Sequence, residues 1–105
     1  MELTLNWTES SRNELLKLFF YYKHQSNLKT ARNKIEKISK QVLLLKKQPF
    51  IGQKEELLTG GKEEFRYLLF SNYKIIYYVN LELNRVEIVD LFDCRQEPLK
   101  IKRTK

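Results

Sequence analysis

Residues 65–92 read FRYLLFSNYKIIYYVNLELNRVEIVDLF and decide the fold of this 105-residue chain. Aromatic and β-branched residues concentrate in three parts of this stretch, and such residues favour β-strands. The three predicted strands are 65–70, 73–79 and 86–91. Between the first two, Ser71-Asn72 fits a tight turn because asparagine tolerates positive φ, and residues 80–84 fit a longer turn. The stretch therefore predicts a three-stranded antiparallel meander.

Two amphipathic helices are predicted before the meander. In the clearer one, apolar residues recur at steps of three and four from Leu28 to Leu45, and the helix ends before Pro49. The earlier helix starts either with a capping box at Ser11 or with an N-cap at Thr8. Two such helices joined by a short polar turn form an antiparallel hairpin.

A further strand is predicted at the start of the chain, where Leu3, Leu5 and Trp7 alternate with polar residues. It either pairs beside the meander or stays unpaired. The order β-α-α-β-β-β predicts an α+β fold in which the helical hairpin packs on one face of an antiparallel sheet and the other face stays open. Few glycines and prolines leave little linker, so residues 1–105 form a single domain ending in a basic, solvated tail, 98–105.

The charge of the chain is strongly positive. Lys and Arg number 20 and Asp and Glu 13, which gives a net charge of +7. Between Lys29 and Lys47 lie seven basic residues and one acid, Glu36, so the outer face of the second helix is positive. Such a surface attracts nucleic acid or an acidic protein. A surface kept soluble by lysine is the alternative.

Several classes of protein are disfavoured by the composition. With one histidine, His24, and one cysteine, Cys94, the chain fits neither a histidine metal site nor an internal disulfide framework. No glycine-rich phosphate loop is present, and we predict neither a metal nor a cofactor. The lone cysteine and the lack of a signal peptide or a long apolar run favour a soluble cytoplasmic protein without a membrane partner.

Cations on or beside the strands are the main candidates for a functional site. Arg66 and Lys74 lie within predicted strands, and Arg95 follows the last one. A charged residue in an apolar strand needs solvent, a partner or an anion. Convergence of the three on the open face would create a phosphate site. The alternative is an ordinary ion-pair network with acids such as Asp90 and Asp93.

Short motifs follow one another along almost the whole chain. They are Leu5-Asn6-Trp7, Ala31 with the helix over 35–45, Pro49-x-x-Gly52, Phe65-Arg66-Tyr67-Leu68, Tyr73-Lys74-Ile75-Ile76-Tyr77 and Phe92-Asp93-Cys94-Arg95-Gln96-Glu97-Pro98. Their order and spacing resemble the RelE/ParE superfamily of bacterial type II toxins, the toxic halves of toxin–antitoxin pairs.

The resemblance implies one of two targets. RelE-like members cut messenger RNA in the ribosomal A site by activating the ribose 2′-OH, whereas ParE-like members act against DNA gyrase. For RNA cutting, the resemblance implies catalytic roles for Arg66, Lys74 and Arg95. Two features depart from the RelE-like pattern: Leu68 occupies the position of a strand lysine, and no tyrosine follows Tyr78.

From this resemblance we predict the toxin of a type II pair, acting by ribosome-dependent mRNA cleavage and thus as an endoribonuclease. Gyrase inhibition is the alternative, and a catalytically silent basic binding module is a further one. The predicted partners are an acidic antitoxin and either the ribosome with its mRNA or gyrase. Contacts to nucleic acid are predicted for Lys54, Tyr73, Lys100 and Lys102.

Overall fold

The computed structural model describes residues 2–104 and has five strands and two α-helices in this range. They are β1 (Thr4–Trp7), α1 (Glu9–Gln25), α2 (Leu28–Leu43), β2 (Gln53–Lys54), β3 (Arg66–Phe70), β4 (Tyr73–Asn80) and β5 (Arg85–Asp93). Short 3-10 helices span Leu44–Lys46, Glu56–Leu58 and Pro98–Thr104. The predicted α+β class and element order are confirmed, and β2 is an additional strand that the sequence pattern did not predict.

The strands form one sheet in the order β1-β5-β4-β3-β2. The predicted antiparallel meander consists of β3, β4 and β5. Its first turn places Ser71, rather than Asn72, at a positive φ of 53°. β1 pairs with β5 in parallel, so the sheet is mixed rather than antiparallel throughout. A parallel pair needs a long connection, and α1, α2 and the rest of the meander supply it.

The helical hairpin forms as predicted, and side chains cap both of its helices. Thr8 is the N-cap of α1, because its hydroxyl accepts a hydrogen bond of 3.2 Å from the Ser11 amide. The alternative capping box at Ser11 is wrong, since Ser11 is buried inside the first turn. Asn27 caps α2 by accepting a bond of 2.7 Å from the Thr30 amide. The two-residue connection holds the helices antiparallel.

The main core lies between the hairpin and the sheet. Apolar side chains of α2 and its 3-10 extension meet those of the central strands there. Its fully buried members include Ile38, Val42, Leu45, Ile75, Tyr77 and Ile88. The chain following α2 also touches this core, because the Gly52 amide donates a hydrogen bond of 2.9 Å to the Tyr77 hydroxyl.

The second face of the sheet is partly covered, so the prediction of an open face is wrong. A β-bulge displaces the register of β4 and β5 after Ile76, which pairs with Asp90 while the next residue pairs with Ile88. The bulge leaves Val89 as the extra residue of β5. Two 3-10 helices cover this face, and their side chains join a second apolar cluster. Its buried members are Leu58, Phe65, Ile76, Phe92 and Ile101.

The tail is therefore not a solvated end over the residues that the structure describes. Its 3-10 helix, Pro98–Thr104, buries Ile101 completely. The carboxylate of Asp90 accepts hydrogen bonds from Arg103 at 3.1 and 3.2 Å and from the Thr104 hydroxyl at 2.8 Å. Lys105 lies outside the described residues. Within residues 2–104, no helix is both long and apolar enough to cross a membrane.

Candidate functional site

Arg66, at the start of β3, lies opposite Tyr77 in the strand register, on the face that the main core covers. Its guanidinium donates hydrogen bonds to the Gly52 carbonyl at 2.8 Å and to the Glu64 carboxylate at 2.7 Å. It also lies over the Phe50 ring, 5.3 Å from the centroid. Arg66 therefore ties the loop after α2 to the sheet, and its charge is matched by a carboxylate.

Lys74 lies on the opposite face, in register with Leu69 and Phe92. Its ammonium forms an ion pair with Glu55, whose side chain is only 3% exposed. The ammonium also lies 4.4 Å from the centroid of the Tyr67 ring. A nearly buried carboxylate needs a cationic partner, and Lys74 fills that role here.

Arg95 lies two residues beyond β5 and is the most exposed of the three cations, with 54% of its side chain accessible. Its guanidinium donates hydrogen bonds of 2.9 and 2.8 Å to the Asp93 carboxylate. These bonds lower the pKa of Asp93 below its usual value and raise the pKa of Arg95. This pair is the ordinary ion pair that the sequence left open as the alternative for Arg95.

The three cations do not converge, contrary to the prediction. Arg66 pairs in register with Tyr77, which is three residues along β4 from Lys74. At the rise of a strand this separates the two positions by about 10 Å, and they lie on opposite faces of the sheet. A catalytic role for these residues stays a prediction, because each is already bound to its own acid: Glu64, Glu55 or Asp93.

The predicted nucleic-acid contacts are also scattered. Tyr73 is 9% exposed and belongs to the main core, and burial with nearby Asp93 raises the pKa of its hydroxyl. Its ring is therefore not available for stacking on a base. Lys54 lies on the edge strand β2 and pairs with Glu64 at 3.7 Å. Lys100 and Lys102 are exposed on the C-terminal 3-10 helix.

Three carboxylates are almost completely buried, and their burial was not predicted from the sequence. They are Glu55, Glu87 and Asp90. Each has a cationic partner: Lys74, Arg85 and Arg103, respectively. The detectable signal was an acid at positions 87 and 90 inside an otherwise apolar strand. No group of three or more His, Cys, Asp or Glu side chains in residues 2–104 is arranged to hold a metal ion.

Cations of α2 are arranged differently from those of the sheet. The cations on its outer side are exposed. Within residues 2–104, one cation of α2 forms an ion pair: Lys40 with Glu36, at 3.1 Å. On α1, Leu16 and Phe20 lie one turn apart and are 54% and 48% exposed. The molecule thus presents a positive helix face and an exposed apolar pair, and its strand cations are internally neutralised.

Comparisons with known proteins agree with this fold. Residues 5–98 match the family described as "ParE toxin of type II toxin-antitoxin system, parDE". A solved structure described as "Chromosomal ParDE TA system from P. aeruginosa" superposes with a TM-score of 0.74 at 18% sequence identity. The superposition covers 88% of this chain and 96% of that chain, which shows a common fold. No curated protein matches the chain.

The family match includes both helices and the complete meander. It also includes every ion pair that neutralises Arg66, Lys74 and Arg95. The chain therefore belongs to the ParE toxin family of type II toxin–antitoxin systems.

Proposed function

We propose that this toxin inhibits DNA gyrase by binding and that it does not cut RNA. The observation that carries the proposal is the separation and neutralisation of Arg66, Lys74 and Arg95. Cleavage at a phosphate needs cations gathered around one developing negative charge. Side chains on opposite faces of a sheet do not provide that arrangement. The chain belongs to the ParE family. ParE-like members act against gyrase, which supports the same conclusion.

The histidine and tyrosine side chains support the proposal independently. RNA cleavage through the 2′-OH needs a general base and a general acid with a pKa near neutrality. His24 is exposed in the last turn of α1. Burial raises the pKa of Tyr73, Tyr77 and Tyr78, which moves these hydroxyls further from that range.

Ribosome-dependent cleavage is the second candidate, and Arg95 is the observation that favours it. Its guanidinium is accessible beside Asp93, so an mRNA phosphate has access to it once the ion pair opens. Cell-free translation from a preformed mRNA tests this candidate, because the reaction needs no replication and no gyrase. We expect intact message at toxin concentrations that stop growth. New breaks inside codons, mapped by primer extension, would establish cleavage instead.

We further propose an acidic, partly disordered antitoxin as the partner of this chain. An exposed apolar pair such as Leu16 and Phe20 marks a protein-binding surface. Lys23, 6.0 Å from the centroid of the Phe20 ring, favours an acidic residue beside the apolar contact. Folding of a disordered segment on such a surface is a common form of recognition. Co-expression of the acidic partner should relieve growth arrest.

The gyrase proposal is tested in cells that carry a reporter plasmid. After induction of the toxin, plasmid is extracted at intervals and its topoisomers are separated on a chloroquine gel. We expect relaxed topoisomers to accumulate before growth stops, because inhibited gyrase no longer introduces negative supercoils. Growth arrest with normal supercoiling would contradict the proposal. Normal growth with folded toxin present would instead favour a silent binding module.

A further inference from the structure

Positive charge that is not neutralised is concentrated in one segment of the molecule. Residues 28–47 hold seven cations and one acid, so this segment has a net charge of +6 in a chain of +7. The rest of the chain is nearly neutral, and its strand cations are paired with carboxylates. The electrostatic field of the protein therefore comes mainly from α2 and the residues just after it.

The cations of α2 lie on the side that faces away from the core. Ala31, Ile38 and Val42 are buried against the rest of the protein. From Lys29 to Lys40, the opposite side of the helix carries only exposed polar residues. They are Lys29, Arg32, Asn33, Glu36, Lys37 and Lys40. The distance along the axis from Lys29 to Lys40 is about 16 Å, from the rise of 1.5 Å per residue.

This surface has the chemistry of a phosphate-backbone contact rather than of a protein interface. Protein interfaces have an apolar centre from which lysine is depleted. Here the exposed apolar side chains, Leu28, Leu43 and Leu44, lie at the two ends of the face, and its centre is polar. Protein–DNA interfaces are strongly positive, and Lys and Arg make most of their phosphate contacts. Binding of single strands usually adds aromatic stacking, but this face has no aromatic residue and Tyr73 is buried.

We propose that the outer face of α2 binds the phosphate backbone of duplex DNA without reading its sequence. The choice of DNA over RNA rests on the proposed function, because gyrase works on duplex DNA and a toxin bound to it comes close to that DNA. The face then holds the toxin against the DNA segment that gyrase is handling. The binding contacts are charge-assisted hydrogen bonds from lysine and arginine to phosphate oxygens.

The test is fluorescence anisotropy with a labelled 20-base-pair DNA duplex of mixed sequence and purified full-length toxin, over a series of salt concentrations. The α2 variant combines Lys29→Gln with Lys37→Gln, two exposed residues of the face. The control combines Lys17→Gln with Lys62→Gln, which removes the same charge from outside α2. A third variant, Lys29→Arg with Lys37→Arg, keeps the charge. Circular dichroism verifies that each variant is folded.

We expect the wild-type binding constant to fall steeply with salt. In the α2 variant the slope of log K against log salt becomes shallower by about 2, and binding weakens about tenfold or more at low salt. The control and the arginine variant should keep the wild-type slope. Absence of DNA binding at low salt, or an equal loss in the α2 variant and the control, would overturn the inference. So would tighter α2-dependent binding to duplex RNA or to polyglutamate.

Failure of this inference can be distinguished from failure of the proposed function, because the binding assay contains no gyrase. DNA binding through α2 by a toxin that leaves gyrase active would support this inference and refute the target. Gyrase inhibition with DNA binding that does not depend on α2 would refute this inference and keep the target.

Discussion

A nearly buried carboxylate is the partner of one of the strand cations, Lys74. Glu55 is nearly fully buried, and its carboxylate accepts a hydrogen bond from the Leu57 amide in addition to the ion pair with Lys74. A buried carboxylate without a cation is strongly unfavourable. At the residue scale, Lys74 is therefore a structural partner of the loop that contains Glu55. The pattern of cations in apolar strands raised an ion-pair network as one alternative, but it did not identify Glu55 as the partner of Lys74.

Replacement of Lys74 by alanine should accordingly destabilise the fold. We expect a loss of about 3 kcal/mol in the free energy of unfolding, because Glu55 then stays buried without its counter-charge. Urea denaturation followed by circular dichroism measures this loss. The matched control is Arg95→Ala, which opens an exposed ion pair with Asp93 and should leave the urea midpoint almost unchanged. Equal effects of the two substitutions would contradict a structural role for Lys74.

Gly52 is required because the sheet approaches its α-carbon closely. A β-carbon at this position would lie 2.5 Å from the Tyr77 hydroxyl and 2.8 Å from the Tyr67 carbonyl oxygen. We expect Gly52→Ala to cost about 1–3 kcal/mol through overpacking and loss of the hydrogen bond to Tyr77. Thermal unfolding of the variant tests this. A melting temperature equal to that of the wild type would show that the loop moves away freely.

At the scale of elements, the C-terminal 3-10 helix closes the second face of the sheet. Its apolar anchor is Ile101, and Asp90 holds its end through Arg103 and Thr104. This tail was predicted to be a solvated end, because it is basic and chain termini often fray. One isoleucine anchors it to the sheet, since the bulge beside Val89 places apolar residues of β5 on the same face.

This anchor predicts a contrast between two neighbouring apolar residues. Ile101→Ala should destabilise the protein by about 2–4 kcal/mol, because it removes a fully buried side chain and leaves a cavity. Leu99→Ala should change stability by less than about 0.5 kcal/mol, because Leu99 is exposed. Urea denaturation of the two variants gives both values. Similar losses in both would mean that the tail does not pack on the sheet.

Local patterns were sufficient to predict the meander and the helical hairpin. Strand composition, turn residues and helical periodicity all act within a few residues of each other. The parallel pairing of β1 with β5 and the short strand β2 depend on contacts between distant parts of the chain. The same reason explains why the convergence of Arg66, Lys74 and Arg95 was predicted wrongly. The sheet register determines the face on which Arg66 and Lys74 lie. The loops determine which acids neutralise these two cations.

At the scale of the whole molecule, buried tyrosines make stability depend on alkaline pH. Burial raises the pKa of Tyr73, Tyr77 and Tyr78 above the ordinary value of 10.0. The unfolded chain then loses these protons at lower pH than the folded chain does. The resulting stabilisation of the folded state is complete below about pH 10. It is lost as the pH rises through the raised pKa values of the tyrosines in the folded state.

Urea midpoints measured from about pH 8 to about pH 12 should therefore stay level at first and then fall above about pH 10. Tyr77→Phe should make this fall shallower, since one of the three hydroxyls with a raised pKa no longer titrates. The comparison uses the slope of stability against pH, because the substitution also removes the hydrogen bond to Gly52. A urea midpoint that does not change across this pH range would contradict the raised pKa values of the three tyrosines.

Charge is divided between two parts of the molecule. In the sheet, cations neutralise nearby acids and stabilise loops and the tail, whereas the outer face of α2 keeps its positive charge exposed. This division favours a toxin that acts by binding and argues against one that gathers cations around a scissile phosphate. Under the two proposals, the antitoxin contacts α1 and the DNA contacts α2, so both surfaces belong to the helical hairpin.

The most direct test of this account is the supercoiling activity of purified DNA gyrase on relaxed plasmid, titrated with purified toxin. The account predicts that supercoiling falls as the toxin concentration rises. It also predicts that the Arg66→Ala and Lys74→Ala variants still inhibit gyrase, provided that they remain folded. Full gyrase activity at every toxin concentration, combined with cleavage of ribosome-bound mRNA by the same preparation, would contradict it.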